Sequence, residues 1–157
     1  MTPAINTAKK AKIPFTVHTY QHDPSTDSYG KEAADKLGVA EERVFKTLVV
    51  ELDGRSLATA IIPVSMVLNM KQVAKAAGAK KAAMADKGAV ERTTGYVLGG
   101  VSPLGQKKRL PTYIDASAST LPTIFVSAGR RGLEIELHPT DLASLAGGTF
   151  AAIGEMR

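Results

Sequence analysis

The run VFKTLVVEL at 44–52 carries a single cation, Lys46, in an otherwise largely apolar stretch. Period-two alternation sets Lys46 with Leu48 and Val50 on one face and Phe45, Thr47 and Val49 on the other, so both faces are apolar. A lysine in such a strand needs a polar site to receive its ammonium; the plainer reading turns it to solvent. A second unusual segment is TGYVLGGVSPLGQKKR at 94–109, where four glycines surround Val101, Ser102 and Pro103 ahead of three cations. Glycines let a backbone approach a ligand closely. Successive N–H groups in such a loop can form a nest for an anion or an oxyanion site for a tetrahedral intermediate. A glycine-rich turn between strands accounts for the same residues.

Several chemistries fail on spacing. A phosphate-binding P-loop requires lysine after its second glycine, but Gln106 follows Gly105. A nucleophile elbow requires Gly-x-Ser-x-Gly, but Leu104 stands where the last glycine belongs, and no Asp–His pair supports Ser102. His18 and His22 are four apart, a metal-binding spacing only on a helix, and Pro14 and Pro24 argue against one there. His138, before Pro139, reads as part of a turn or helix start, and Tyr29 alone as a packing aromatic. There is no cysteine, which removes disulfides, thiolate metal sites and a cysteine nucleophile. No metal or cofactor is expected.

The elements that must position these residues are legible in outline. Thr2-Pro3 starts a helix running to about Lys12, and Phe15 to Tyr20 alternate as a half-buried strand closed by the turn 21–28. Ser28 is placed to cap a helix that Gly38 stops. The runs at 44–52 and 55–64 flank Asp53-Gly54, a strong hairpin signal. Helices are expected at 69–78, around 85–95 and at 139–148, with strands at 79–84, 108–115, 123–129, 133–137 and 149–153. Hairpins interleaved with helices predict a single α+β domain over 1–157, with a mixed, mostly antiparallel, curved or barrel-like sheet and several flanking helices.

The chain of 157 residues carries 20 Lys and Arg against 15 Asp and Glu, a net +5, in short clusters at 9–12, 80–81, 107–109 and 130–131. A polyanionic partner is compatible with that balance, and so is a solvated surface. With no apolar run of about 20 residues, the reading is a soluble, globular, cytoplasmic protein with no membrane partner.

Taken in order, HTYQHDP at 18–24, VFKTLVV at 44–50, GAKKAAMAD at 78–86, TGYVLGGVSPLGQKKRLPTYID at 94–115 and SAGRRGLEIEL at 127–137 resemble the YbaK/EbsC family of Cys-tRNA(Pro) deacylases. The resemblance runs from end to end. It implies an editing hydrolase, related to the insertion domain of bacterial prolyl-tRNA synthetases, that removes wrongly attached cysteine from tRNA(Pro), with tRNA(Cys) a second candidate. A transient complex with prolyl-tRNA synthetase is a further implied partnership. Cysteine is close in size to proline, and an apolar pocket rejects a near-isostere only modestly, so a second hydrolytic site restores fidelity. The family mechanism is substrate-assisted: the thiol of the attached cysteine attacks its own ester carbonyl.

The resemblance assigns Lys46 to catalysis by charge stabilisation. It places Tyr20, Tyr29, Thr47, Ser127 and Glu134 in the substrate pocket, with Gly99, Gly100, Val101 and Ser102 presenting backbone N–H groups. Tyr29 stands where relatives have Phe, adding a hydroxyl to the wall; Glu134 stands where Asp is common and is one methylene longer. Two other functions are compatible: a related deacylase with another preference, such as Ala-tRNA(Pro), and a non-catalytic tRNA-binding module.

Overall fold

In the computed structural model, which describes residues 1–26 and 28–157, the main sheet grows from one hairpin. Strands β2 (Phe45–Leu52) and β3 (Ser56–Pro63) pair antiparallel over their full length. Their turn is tight: Asp53 and Gly54 both take left-handed angles, φ 53° and 67°, and Arg55 N–H closes on the Leu52 carbonyl at 3.0 Å. Nothing lies within 4 Å of a Cβ added at Gly54, so Gly54→Ala carries only a conformational cost. We expect it to destabilise by about 1 kcal/mol and lower the thermal midpoint by roughly 2–4 °C in calorimetry.

β5 (Ala82–Met84) pairs antiparallel on the free side of β2, while β6 (Thr112–Asp115) and β9 (Gly148–Ala151) extend the sheet in parallel beyond β3, giving the order β5-β2-β3-β6-β9. A second sheet is antiparallel, with β8 (Leu133–Leu137) between β1 (Phe15–Thr19) and β7 (Ile124–Arg130). The two sheets meet at one corner, through a parallel bridge from Val44 to Phe125. This is the expected α+β architecture with a mixed, curved sheet; its sheets do not close into a barrel.

Both faces of β2 are in fact apolar. Phe45 and Val49 join Ile61, Ile114, Ile135 and Leu137 in a core between the two sheets, sealed by Ala4, Ile5 and Ala8 of α1 (Pro3–Ala11). Val50 and Leu52 face the other way, onto Val73 of α3 (Met70–Ala77). A third cluster packs Ala33 and Ala34 of α2 (Tyr29–Leu37) on Val44, Val64 and Phe125 at the corner. The short α4 (Lys87–Thr94) and α5 (Pro139–Ala146) complete the helices, and His138 caps α5 by accepting the Thr140 N–H at Nδ1.

The structure departs from expectation at four points. The strand expected at 149–153 ends at Ala151 as β9, and a further, unforeseen β10 (Gly154–Met156) pairs with an equally unforeseen β4 (Met66–Leu68). Asp115 forces the break, because its buried carboxylate accepts the N–H groups of both Ile153 and Gly154. The strand expected from 108 starts only at Thr112, since Lys107 and Lys108 donate their N–H groups back to Thr94 and Thr93. Ser28 makes no side-chain capping bond to α2. β1 is not evenly half-buried: as an edge strand it leaves Val17 exposed. The turn expected at 21–28 contains Asp27, which lies outside the described residues.

Candidate active site

The corner where the sheets meet opens into a cleft of about 400 Å³. Its floor is the start of β2, where Lys46 and Thr47 follow the bridging Val44. The N-terminal turn of α2 supplies Tyr29 on one wall, the 98–101 loop supplies Gly99 and Val101, and the β7–β8 hairpin supplies Ser127, Arg130, Arg131 and Glu134. Tyr20, just past β1, closes the end, its N–H on the Gly132 carbonyl at 3.0 Å. The register of β7 on β8 shifts between Ser127 and Arg130, a bulge that re-aims the side chains at the end of the strand.

Lys46 is half-buried and has no ion-pair partner among the described residues. Burial, and then the positive charge of Arg157, hold its ammonium below the ordinary lysine range. Arg157 lies in the cleft as well, tied by its guanidinium to the Val64 carbonyl at 3.1 Å. Four cations therefore face one carboxyl, Glu134. That carboxyl is 6% exposed, and burial pushes its pKa up to about 8. At neutral pH Glu134 is a proton donor, and the cleft carries net positive charge.

Two polar groups are left open. The Thr47 hydroxyl is buried without a hydrogen-bond partner among the described residues. Buried polar atoms are almost always paired, so an orphan lining a cleft points to a ligand. The Tyr20 phenol is raised above its ordinary value, by burial first and then by the neighbouring Glu134 carboxyl. Tyr29 is covered: the Arg131 guanidinium carbon lies 3.5 Å from its ring centroid, a close cation–π stack.

Of the residues singled out in the sequence, Tyr20, Tyr29, Lys46, Thr47, Gly99, Val101, Ser127 and Glu134 all line this cleft. Gly100 and Ser102 do not. The Gly100 N–H donates to the Val97 carbonyl at 2.9 Å, and Ser102 is fully buried with its hydroxyl accepting the Leu104 N–H. The loop thus turns alternate residues toward and away from the cleft, and its second half holds the loop together: Tyr96 O–H donates to the Leu104 carbonyl at 2.6 Å. Both Gly99 and Gly100 are constrained: a Cβ at Gly100 would sit 2.8 Å from the Arg130 Cα, and Gly99 is held by conformation as well. Its φ is +93°, and a Cβ there would sit 2.7 Å from the Tyr29 ring and 2.8 Å from Arg131 Nε.

Sequence reasoning passed over Arg157 and the apolar rim residues Met84 and Leu98. Nothing at 157 marked it, because only the β4–β10 pairing brings that end of the chain to the corner. Arg130 and Arg131 were visible as a cationic pair, but so were three other clusters. His18 and His22 do not converge on a metal: they pair separately with Glu136 and Glu32, at 2.9 and 2.8 Å. Among the described residues no group of three or more His, Cys, Asp or Glu is placed to hold a metal ion, and no helix is long and apolar enough to cross a membrane.

Comparison with known proteins places the chain in a family. The chain is 40% identical over 153 residues, 97% of its length and 92% of the relative's, to a protein of Enterococcus faecalis (strain ATCC 700802 / V583) named "Putative Cys-tRNA(Pro)/Cys-tRNA(Cys) deacylase EbsC". It is 28% identical over 142 residues, 88% of this chain and 90% of that protein, to the uncharacterized protein YwhH of Bacillus subtilis (strain 168). The crystal structure of hypothetical protein APE2540 superposes with a TM-score of 0.86 at 25% identity, covering 98% of this chain and 99% of that one. A structure described as "a putative trans-editing enzyme for prolyl tRNA synthetase" shares the fold, with a TM-score of 0.83 at 21% identity over 99% of each chain. The family model for the aminoacyl-tRNA editing domain matches residues 23–145, which hold the Lys46 strand, the 98–101 loop and the β7–β8 hairpin. The chain belongs to the aminoacyl-tRNA editing domain family.

Proposed function

We propose that this chain, as one editing unit over residues 1–157, is a trans-editing deacylase that removes cysteine from mischarged Cys-tRNA(Pro) in the cytoplasm, with Cys-tRNA(Cys) as a second substrate. The observation that carries this reading is the cationic cleft around the unpaired, half-buried Lys46, which no carboxylate of the described residues neutralises. Such a site suits a ligand bringing its own negative charge, as the phosphates of a tRNA 3′ end do. The near-complete overlap with the relative named for Cys-tRNA deacylation supports the same substrate. A transient encounter with prolyl-tRNA synthetase, the source of the mischarged product, belongs to this proposal.

The chain contains no cysteine and Ser102 is sealed in the loop; the family resemblance implies that the nucleophile comes from the substrate. Its cysteine Sγ attacks its own ester carbonyl. The Sγ–C bond forms as the C–O bond to the terminal ribose breaks, the thiol proton ends on the ribose oxygen, and the released thiolactone is opened by water. Lys46 stabilises negative charge on sulfur and on the carbonyl oxygen. The Thr47 hydroxyl and the backbone of Gly99 and Val101 orient the ester, while Glu134, Ser127 and Tyr20 receive the amino-acid end. Orientation and electrostatic stabilisation of this kind can supply most of a rate enhancement without a protein nucleophile.

Deacylation of Cys-, Ala- and Ser-tRNA(Pro) side by side tests the assignment. Cys-tRNA(Pro) should turn over at least about tenfold faster than either, since only its side chain carries a thiol. Turnover of Ala-tRNA(Pro) alone would instead require attack by water and would overturn the thiol mechanism.

A further inference from the structure

Behind the cleft wall lies a chain of contacts that the proposed reaction does not use. Glu32, in the first turn of α2, is 6% exposed. Its Oε1 meets His22 Nδ1 at 2.8 Å, and its Oε2 accepts the Asp23 N–H at 2.8 Å. On the other side of the imidazole, Arg131 Nη1 lies 3.2 Å from His22 Nε2. The Arg131 guanidinium then covers the Tyr29 ring, and both pack against Gly99. The Tyr29 ring also stands edge-on to His22, their centroids 6.0 Å apart.

Donor chemistry assigns the imidazole's tautomer. A guanidinium only donates, so Nε2 must hold a lone pair and the proton sits on Nδ1, donated to Glu32. Burial pushes the Glu32 carboxyl up, but the hydrogen bonds from His22 and Asp23 and the charge of Lys36 outweigh it, so Glu32 remains an acceptor. We propose that His22, backed by Glu32, is a positioning residue that holds Arg131 flat over Tyr29, where the guanidinium receives a phosphate of the incoming RNA end. The proposal rests on the tRNA reading above. An exposed arginine otherwise spreads over many rotamers, and fixing it before binding removes that entropy from the cost of association.

Among the described residues the groups facing His22 are Glu32 and Tyr29 from α2, Arg131 from the β7–β8 turn, and, through Glu32, Lys36 at 3.7 Å. The Asp23 carboxylate is engaged by Ser25 instead.

His22→Asn and His22→Gln separate this role from simple packing. The asparagine amide ends near the depth of Nδ1 and cannot reach Arg131; the glutamine carbonyl reaches the depth of Nε2 and can accept from it. We expect H22N to raise KM for Cys-tRNA(Pro) about tenfold with kcat changed less than about twofold. With one fewer cation held on the phosphates of a single strand, the salt dependence of log KM should become shallower by about 0.7. R131A should match H22N, the double variant should be no worse than either, and H22Q should recover most of the loss. An unchanged KM in H22N, or fully additive effects with R131A, would overturn the proposal. Nitrogen NMR of the imidazole tests the clamp without any substrate: a bare Nε2 whose resonance loses its hydrogen-bond shift in R131A supports it even if no charged tRNA is hydrolysed. An Nε2–H tautomer in the unmodified protein sinks it.

Discussion

Lys46→Ala should lower kcat/KM for Cys-tRNA(Pro) by about 10²–10³-fold, the usual range for removing a preorganised group that stabilises transition-state charge. Geometry comes before electrostatics in producing this effect. Lys46 reaches the cleft because β2 is buried on both faces elsewhere, and its start, just past the Val44–Phe125 bridge, is where the sheets part. Burial and Arg157 already disfavour the charged ammonium, so an anion arriving there relieves both. That relief is largest where negative charge has developed, which is the condition for acting on kcat as well as on KM. Single-turnover deacylation alongside equilibrium tRNA binding measures the split. The remaining cleft arginines should keep affinity within about threefold. Loss of affinity with an unchanged single-turnover rate would make Lys46 a binding residue only, and no change in either would remove it from the site.

Glu134→Gln should alter the pH dependence of stability more than any other single substitution in the cleft. The folded-state pKa of Glu134 is raised to about 8, whereas in the unfolded chain it titrates at the ordinary 4.5. Between those values the folded chain keeps a proton that the unfolded chain has lost, so stability falls as pH rises. The contribution is complete below 4.5, declines at up to about 1.4 kcal/mol per pH unit, and levels off above about 8. Glutamine keeps the shape and donor capacity of the protonated acid but has nothing to ionise. Urea unfolding from pH 4 to 9 should therefore give a flatter profile for E134Q, and the variant should be the more stable protein at the alkaline end. Parallel profiles for the two proteins would show that Glu134 ionises normally. On the proposed reading, in which Glu134 receives the amino-acid end as the protonated acid, the same substitution should leave acidic-range activity largely intact and extend it above pH 8.

How much of this corner could be seen in the chain beforehand follows the range of each interaction. Local chemistry was legible: Asp53-Gly54 turns because of its own backbone preferences, Gly38 ends α2 in a left-handed conformation, and His138 stands at the start of α5, where it caps the helix two residues away. Double-sided burial of β2 was also readable from alternation, and with it the oddity of Lys46. The family resemblance then named eight residues that share one cleft, although they come from five separate segments.

What sequence could not decide depends on neighbours distant along the chain. The 98–101 loop is an example. Its glycines suggested a continuous row of amides, but Gly100 spends its N–H on Val97, and Ser102 turns inward to Leu104. Among four equivalent cationic clusters, 130–131 alone lines the cleft, because the β7 bulge and the Arg131-Gly132 turn sit at the corner. Asp115 ends β9 by reaching 38 and 39 residues ahead, and the β10 that follows carries Arg157 to within reach of Lys46. Sequence by itself determined which short segments fold as strand, turn or helix and which residues were chemically unusual, because those preferences act over a few residues. Only the tertiary structure decided which cations meet, which amides stay free and which carboxyl loses its water, because each depends on burial by segments tens of residues away.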